Sequence, residues 1–209
     1  MPYSAAVDKL TGYENTTLEP HKTYISAQQL LDDSFALGLQ ILESGFYPDF
    51  IVGIWRGGAP VGIAVQELLK YFEVSSDHIA IRTSLYTGIN ETAAQVKVHG
   101  LGYLIEHAGA GTKVLLVDDV FDSGRSIEQV VNDIDQAHAG NGPELRVATP
   151  YYKPGNNRTQ RKPDYYLYET SEWLVFPHEL CGLKASELLK DKPGIDSIRS
   201  ALESHTQSV

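Results

Sequence analysis

Asp118, Asp119 and Asp122 are crowded into one short stretch, directly after the apolar run Val114-Leu115-Leu116-Val117 and directly before the small turn Ser123-Gly124-Arg125-Ser126. Carboxylates at that density repel one another, so what they face should be positive: a divalent cation, or a transition state that develops such charge. The turn has the opposite preference. Ile127, Val130, Val131 and Ile134 follow it at the spacing of one helical face. The turn therefore sits at a helix N-terminus, where free backbone N–H groups and the helix dipole attract a phosphate. Acids and an anion site are compatible if the ligand is a sugar phosphate that loses a leaving group at its anomeric carbon. The phosphate docks on the turn, and the carboxylates hold ribose hydroxyls and stabilise oxocarbenium-like charge. The plainer reading is a solvated strand end for Asp118 and Asp119 and a helix cap for Asp122. It accounts for each acid singly but not for their order before a phosphate-type turn.

Other segments could bring chemistry to the same place. Phe50 to Trp55 reads as a buried strand, and Arg56-Gly57-Gly58-Ala59-Pro60 follows it. Glycines there either make a tight strand-to-helix turn and nothing more, or let backbone N–H groups approach phosphate oxygens that Arg56 can grip in a bidentate fashion. The segment is neither a Walker loop nor a GxGxxG fingerprint, because Ala59-Pro60 stand where Lys and Ser or Thr would be needed. Further on, Lys153 follows a strand, and Trp173 opens the apolar run to Phe176. Taken alone, Lys153 reads as a loop lysine and Trp173 as a core aromatic; at a base pocket the ammonium, which only donates, would favour a 6-oxo over a 6-amino group, and Trp173 would offer a face for stacking.

The elements that must position these residues alternate between strand and helix. Ser26-Ala27-Gln28-Gln29 fits a capping box, and Leu31, Phe35, Leu39 and Leu42 mark the inner face of the helix it opens. A second helix carries Val61, Ala64, Val65, Leu68, Leu69 and Phe72 on one stripe, with Pro60 in its first turn. Strands are predicted over 78–84, 114–117, 145–149, 165–168 and 173–176, with a short helix over 100–107 and a broken one after 186. Residues 85–98 show no clear period. Such alternation implies a parallel α/β sheet with right-handed crossovers, whose ligands sit beyond the strands' C-terminal ends.

A net charge of -10 argues against nucleic acid as the main partner, since that role needs a basic footprint. Cys181 is the only cysteine, which excludes an intrachain disulfide and suits a reducing compartment. With no bilayer-length apolar run and no leader-like N-terminus, the expected location is cytoplasmic, with no membrane contact.

The stretch from Val114 to Ser126 resembles the 5-phosphoribosyl diphosphate (PRPP) signature of type I phosphoribosyltransferases: apolar strand, two acids, two spacers, Asp, Ser or Thr, Gly, any residue, Ser or Thr. Arg56-Gly57-Gly58 is similar to that family's diphosphate-binding turn. Lys153-Pro154, followed by an aromatic opening an apolar run and an acid six positions on, is similar to the purine-recognition segment of its 6-oxopurine branch. The resemblance implies a parallel twisted sheet flanked by helices, with a small hood. It suggests a division into an N-terminal arm (1–24), a PRPP-binding core (25–155), a hood for base recognition (156–185) and a helical tail (186–209).

It also implies roles. Asp118 and Asp119 would hold the ribose hydroxyls, directly or through Mg²⁺, and Asp122 would face N7 of the purine. Ser123, Gly124, Arg125 and Ser126 would bind the 5-phosphate, and Arg56 and Gly57 the diphosphate. Lys153, Trp173 and Leu174 would meet the base, and Glu179 would sit where relatives place an Asp associated with magnesium. The stretch containing Ser84 and Tyr86 would form a lid. The implied partners are PRPP and a purine base, with a homodimer or homotetramer as the assembly. DDVFD also matches the DDxxD cluster of terpene synthases, but that fold is all-helical, and haloacid dehalogenase phosphatases need DxD. An orotate enzyme would carry more cations than Lys97 in its mobile loop. A PRPP-sensing regulator on the same fold is the non-enzyme alternative, and the acidic charge counts against one that binds nucleic acid.

Overall fold

The computed structural model describes residues 21–86 and 95–206. Its centre is a five-stranded sheet in the order β4-β3-β2-β5-β7. β2 (Phe50–Trp55), β3 (Asp77–Tyr86), β5 (Lys113–Val117) and β7 (Glu144–Ala148) run parallel, and β4 (Gln95–His99) returns antiparallel on β3 at the edge. The chain leaves β2 through α2 (Gly58–Tyr71) towards β3 on one side, whereas β5 lies on the other. The C-terminal ends of β2 and β5 therefore flank a topological switch point, the place where open α/β sheets form their ligand crevice.

The apolar runs are continuous because both sheet faces are covered. Ile51, Leu115 and Val117 point into one core with Leu37 and Ile41 of α1 (Ala27–Glu43) and Val61, Val65 and Leu69 of α2. Phe50, Val52, Ile54, Val114 and Leu116 point into the other, with Leu104 of α3 (Gly102–His107) and Ile127, Val130 and Ile134 of α4 (Arg125–Ala137). The helix after the acid-rich turn thus begins where its spacing predicts.

The inner face of α1 is not the one expected. Leu31, Phe35 and Leu39 are exposed, and Leu30, Asp33, Ser34, Leu37, Gly38 and Ile41 are buried. Two apolar stripes interleave on this helix. The one that packs carries polar groups with partners of their own: Ser34 Oγ donates to the Leu30 carbonyl at 2.6 Å, and Asp33 accepts from distant tyrosines. The predicted N-cap holds, with Ser26 Oγ accepting the Gln29 N–H at 3.0 Å. Phe72, expected on the buried stripe of α2, lies beyond its end and is 48% exposed.

The stretch expected to be aperiodic extends β3 to Tyr86 and resumes as β4, where Val96 and Val98 alternate with polar neighbours. Ser84 pairs with Lys97 in that hairpin, and its hydroxyl lies 3.3 Å from His99 Nε2. The part of the expected lid over residues 87–94, and the expected arm over 1–20, lie outside the described residues. Lys22–Tyr24, the end of the segment read as an arm, is strand β1 and runs parallel to β10 (Trp173–Val175). The strand expected over 165–168 is shorter and later, β9 (Tyr168–Glu169), which joins β6 (Val120–Phe121) and β8 (Tyr151–Tyr152) in a small sheet above the switch point. After residue 183 the chain forms α5 (Ala185–Asp191), a short 3-10 turn and α6 (Arg199–Thr206), interrupted near Pro193-Gly194 as expected.

Candidate active site

β5 ends at Val117, so Asp118 and Asp119 emerge at the sheet's C-terminal edge. Asp119 is 8% exposed and Asp118 half-buried. Burial, then the neighbouring Asp119 charge, push the Asp118 carboxyl well above the usual carboxylate range. The Asp119 N–H donates to Asp118 Oδ1 at 3.0 Å, and His178 Nε2 lies 3.4 Å from Asp119 Oδ2.

The loop after β2 is packed against these acids. A β-carbon at Gly58 would collide with the Val117 carbonyl oxygen, so that position requires glycine on steric grounds, and one at Gly57 would displace the Asp119 carboxylate. The Trp55–Arg56 peptide bond is cis, and the Arg56 side chain is exposed.

Beyond the acids, the short strand β6 and the turn Asp122-Ser123-Gly124 lead into α4. Gly124 has φ 76°, and a β-carbon there would press on the Phe121 ring and Thr159 Oγ1, so it is glycine for two reasons. Asp118, Asp122, Ser123, Gly124 and Ser126 line a niche of about 90 Å³ over the α4 N-terminus. Its volume suits one phosphate group, and the Arg125 side chain beside it is exposed.

A larger cleft of about 490 Å³ opens next to the niche, lined by Asp119, Asp122, Lys153, Asn156, Trp173, Leu174, Phe176 and Glu179 among others. Lys153 is anchored by its N–H to the Phe121 carbonyl at 2.9 Å. Its Nζ lies 3.0 Å from Asp122 Oδ2, and Asn156 Nδ2 donates to Asp122 Oδ1 at 2.9 Å. Trp173 is 53% exposed and forms one wall, with Leu174 buried behind it. Glu179 reaches the cleft while its Oε2 accepts the Phe176 N–H at 3.0 Å. The structure therefore brings together Asp118, Asp119, Asp122, Ser123, Gly124, Ser126, Lys153, Trp173, Leu174 and Glu179, whereas the expected phosphate residue Arg125 and the expected diphosphate residues Arg56 and Gly57 line neither the niche nor the cleft.

Two neighbours of the acids were not anticipated. Asn156 reaches Asp122 because Lys153-Pro154-Gly155-Asn156 is a tight turn, closed by the Asn156 N–H on the Lys153 carbonyl at 3.1 Å. The Pro-Gly pair was the available signal. His178 stacks on Phe176 and faces Asp119. Nothing local in the sequence announces that contact.

The phosphoribosyl transferase domain family model matches residues 21–183. The chain is 33% identical over 160 residues to a xanthine-guanine phosphoribosyltransferase of Desulfotalea psychrophila, covering 75% of this chain and 86% of that one. It is 32% identical over 181 residues to the enzyme of the same name from Chromohalobacter salexigens, covering 84% and 91%. The crystal structure of a purine phosphoribosyltransferase from Pyrococcus horikoshii superposes with a TM-score of 0.63 at 27% identity, covering 78% of this chain and 97% of that one. Acids at the switch point, a phosphate-sized niche on the next helix and a family match across most of the chain agree: the chain belongs to the phosphoribosyl transferase domain family and is an enzyme of the type I phosphoribosyltransferase kind.

Proposed function

We propose that the enzyme transfers the 5-phosphoribosyl group of PRPP to N9 of a 6-oxopurine, releasing diphosphate, and so returns free purine bases to the nucleotide pool. The observation that carries this reading is the pairing of Lys153 Nζ with Asp122 Oδ2 at 3.0 Å on the wall of the cleft. A donor beside an acceptor matches the adjacent O6 and N7–H of a 6-oxopurine. A 6-amino group would present hydrogens to an ammonium that cannot accept them. The names of the relatives at about 30% identity support the same substrate class.

In this reading the 5-phosphate occupies the niche over α4, held by the backbone of Ser123 to Ser126 and their hydroxyls. Asp118 and Asp119 grip the ribose hydroxyls beneath the anomeric carbon. The base lies against Trp173 and Leu174, with Lys153 at O6. N9 attacks C1 as the C1–O bond to diphosphate breaks, and the bonding pair leaves with diphosphate. Asp122, held in place by Asn156, accepts the N7 proton as positive charge develops on the purine. Arg56 and the Gly57 backbone meet the leaving diphosphate.

Magnesium suits the donors present. Asp118 and Asp119 are hard oxygen ligands, and a cation beside them would oppose the upward push that burial, then the Asp119 charge, exert on Asp118. Among the described residues no group of three or more ligating side chains could cage an ion unaided. That is the usual pattern for Mg²⁺, which takes one or two carboxylates and completes its shell with water and substrate oxygens. When bound, the ion would supply charge neutralisation at the ribose and diphosphate oxygens. The reading is tested by incubating the protein with PRPP, Mg²⁺ and a panel of xanthine, guanine, hypoxanthine and adenine, and identifying nucleotide by mass. Monophosphates of oxopurines are expected. Product from adenine alone, or from no base, would contradict it.

A further inference from the structure

The family match ends at residue 183, yet the chain continues through α5 and α6. Lys192, just past α5, is 6% exposed. Its Nζ donates to the Phe176 carbonyl at 2.7 Å, and the same carbonyl accepts the Glu179 N–H at 3.0 Å. Because Glu179 Oε2 also accepts the Phe176 N–H, Lys192 adds a third tie to a turn closed at both ends. Phe176 and Glu179 line the cleft, and His178 in the same turn faces Asp119.

The segment is fastened a second time. Lys22 Nζ lies 2.6 Å from Glu187 Oε1 of α5 and 5.6 Å from the Trp173 ring centroid, while β1 pairs Lys22 with Trp173 in register. Both attachments end on the wall of the cleft, one at the strand that carries Trp173 and one at the turn that follows it.

A lysine is an expensive way to fill this space. Burial holds its ammonium below the ordinary lysine value, and an apolar side chain of similar volume would avoid that cost. What a lysine supplies and an apolar residue cannot is a directed donor on the Phe176 carbonyl.

We propose that Lys192 is a positioning residue: the C-terminal segment braces the Phe176–Glu179 turn from behind and so holds the wall of the base cleft in its binding shape. The proposal rests on the reading of that cleft as the base site. Lys192→Met keeps most of the aliphatic stem and removes the donor. In the full-length protein it should raise the KM for the oxopurine about tenfold while the KM for PRPP stays within about twofold. Amide exchange at 175–179 should quicken by a similar factor. Lys192→Gln, a shorter neutral donor, should recover part of the loss.

A general loss of stability would raise neither KM selectively. An unchanged oxopurine KM in folded Lys192→Met, or an equal rise for PRPP, overturns the brace. If Lys192→Met does not fold, Glu187→Gln decides: loosening the segment at Lys22 should raise the oxopurine KM about two- to threefold and leave PRPP alone, and no selective rise refutes the proposal. If the wild-type protein forms no oxopurine nucleotide, the reading of the cleft fails. The exchange measurement then still judges the brace by itself.

Discussion

Asp33 and the Asp118–Asp119 pair are all carboxylates withdrawn from water, but their surroundings differ. Asp33, on the buried face of α1, accepts from the Tyr151 hydroxyl at 2.7 Å and the Tyr168 hydroxyl at 3.1 Å, one on each oxygen. Burial, then the bond to Asp33, hold the Tyr151 hydroxyl well above its ordinary value, so it stays a donor. This acid fastens α1 to the small sheet that carries Lys153. Asp118 and Asp119 have each other, a few backbone donors and His178 at 3.4 Å, and burial, then the Asp119 charge, leave the Asp118 carboxyl raised. A carboxylate whose partners are complete belongs to the structure. A pair left short of positive charge keeps that deficit for a ligand.

The contrast makes opposed predictions. Asp118→Asn should lower kcat/KM for PRPP by about 10²- to 10³-fold, because in the proposed reading this carboxylate serves the ribose and magnesium. The same change should stabilise the protein free of ligand at neutral pH, read as a rise in Tm. The pH dependence follows from the direction of the shift. A carboxyl raised in the folded state binds its proton more tightly there than in the unfolded chain. Wild-type stability should therefore fall as pH rises from about 4, the ordinary Asp value, through the raised value, and then level off. Asp118→Asn should lack that decline in denaturant titrations. A variant that loses both activity and stability would erase the distinction between the two sites.

Asp33→Leu should do the reverse. It leaves two tyrosine hydroxyls without their acceptor and should cost about 2–4 kcal/mol in chemical denaturation. Turnover per folded molecule should stay within a few-fold. A selective fall in kcat would move Asp33 into the functional group of acids.

Lys153→Ala removes the cation that faces Asp122 and should raise the oxopurine KM by about ten- to a hundredfold, with PRPP binding little changed. An equal loss for PRPP in a calorimetric titration would show that the lysine serves the sugar phosphate instead.

The sheet and the acid-rich turn were legible in the sequence because their chemistry is compressed into neighbouring residues. The run Val114 to Val117, the three aspartates and the glycine before α4 follow one another without interruption. Gly57 and Gly58 were legible as a glycine-rich turn after β2, although their close packing on Asp119 and Val117 needed the fold. The face of α1 was misread because its buried stripe includes Asp33 and Ser34, which a periodicity reading counts against burial. Ser34 bonds back to the Leu30 carbonyl, but Asp33 depends on Tyr151 and Tyr168, more than a hundred residues away. Shorter separations in sequence were enough to hide His178 beside Asp119 and Lys192 beneath Phe176. β4 escaped notice because two valines in an otherwise polar run are a faint alternation.

The account turns on Asp122 acting at the base and not at the sugar phosphate. Asp122→Asn keeps the shape and can still face Asn156 and Lys153, so binding and chemistry can be separated in one variant. Steady-state turnover should fall by about 10²- to 10⁴-fold, while calorimetry with PRPP and Mg²⁺ should give a Kd within about threefold of wild type. Unchanged turnover, or a loss of PRPP affinity as large as the loss of turnover, would contradict it.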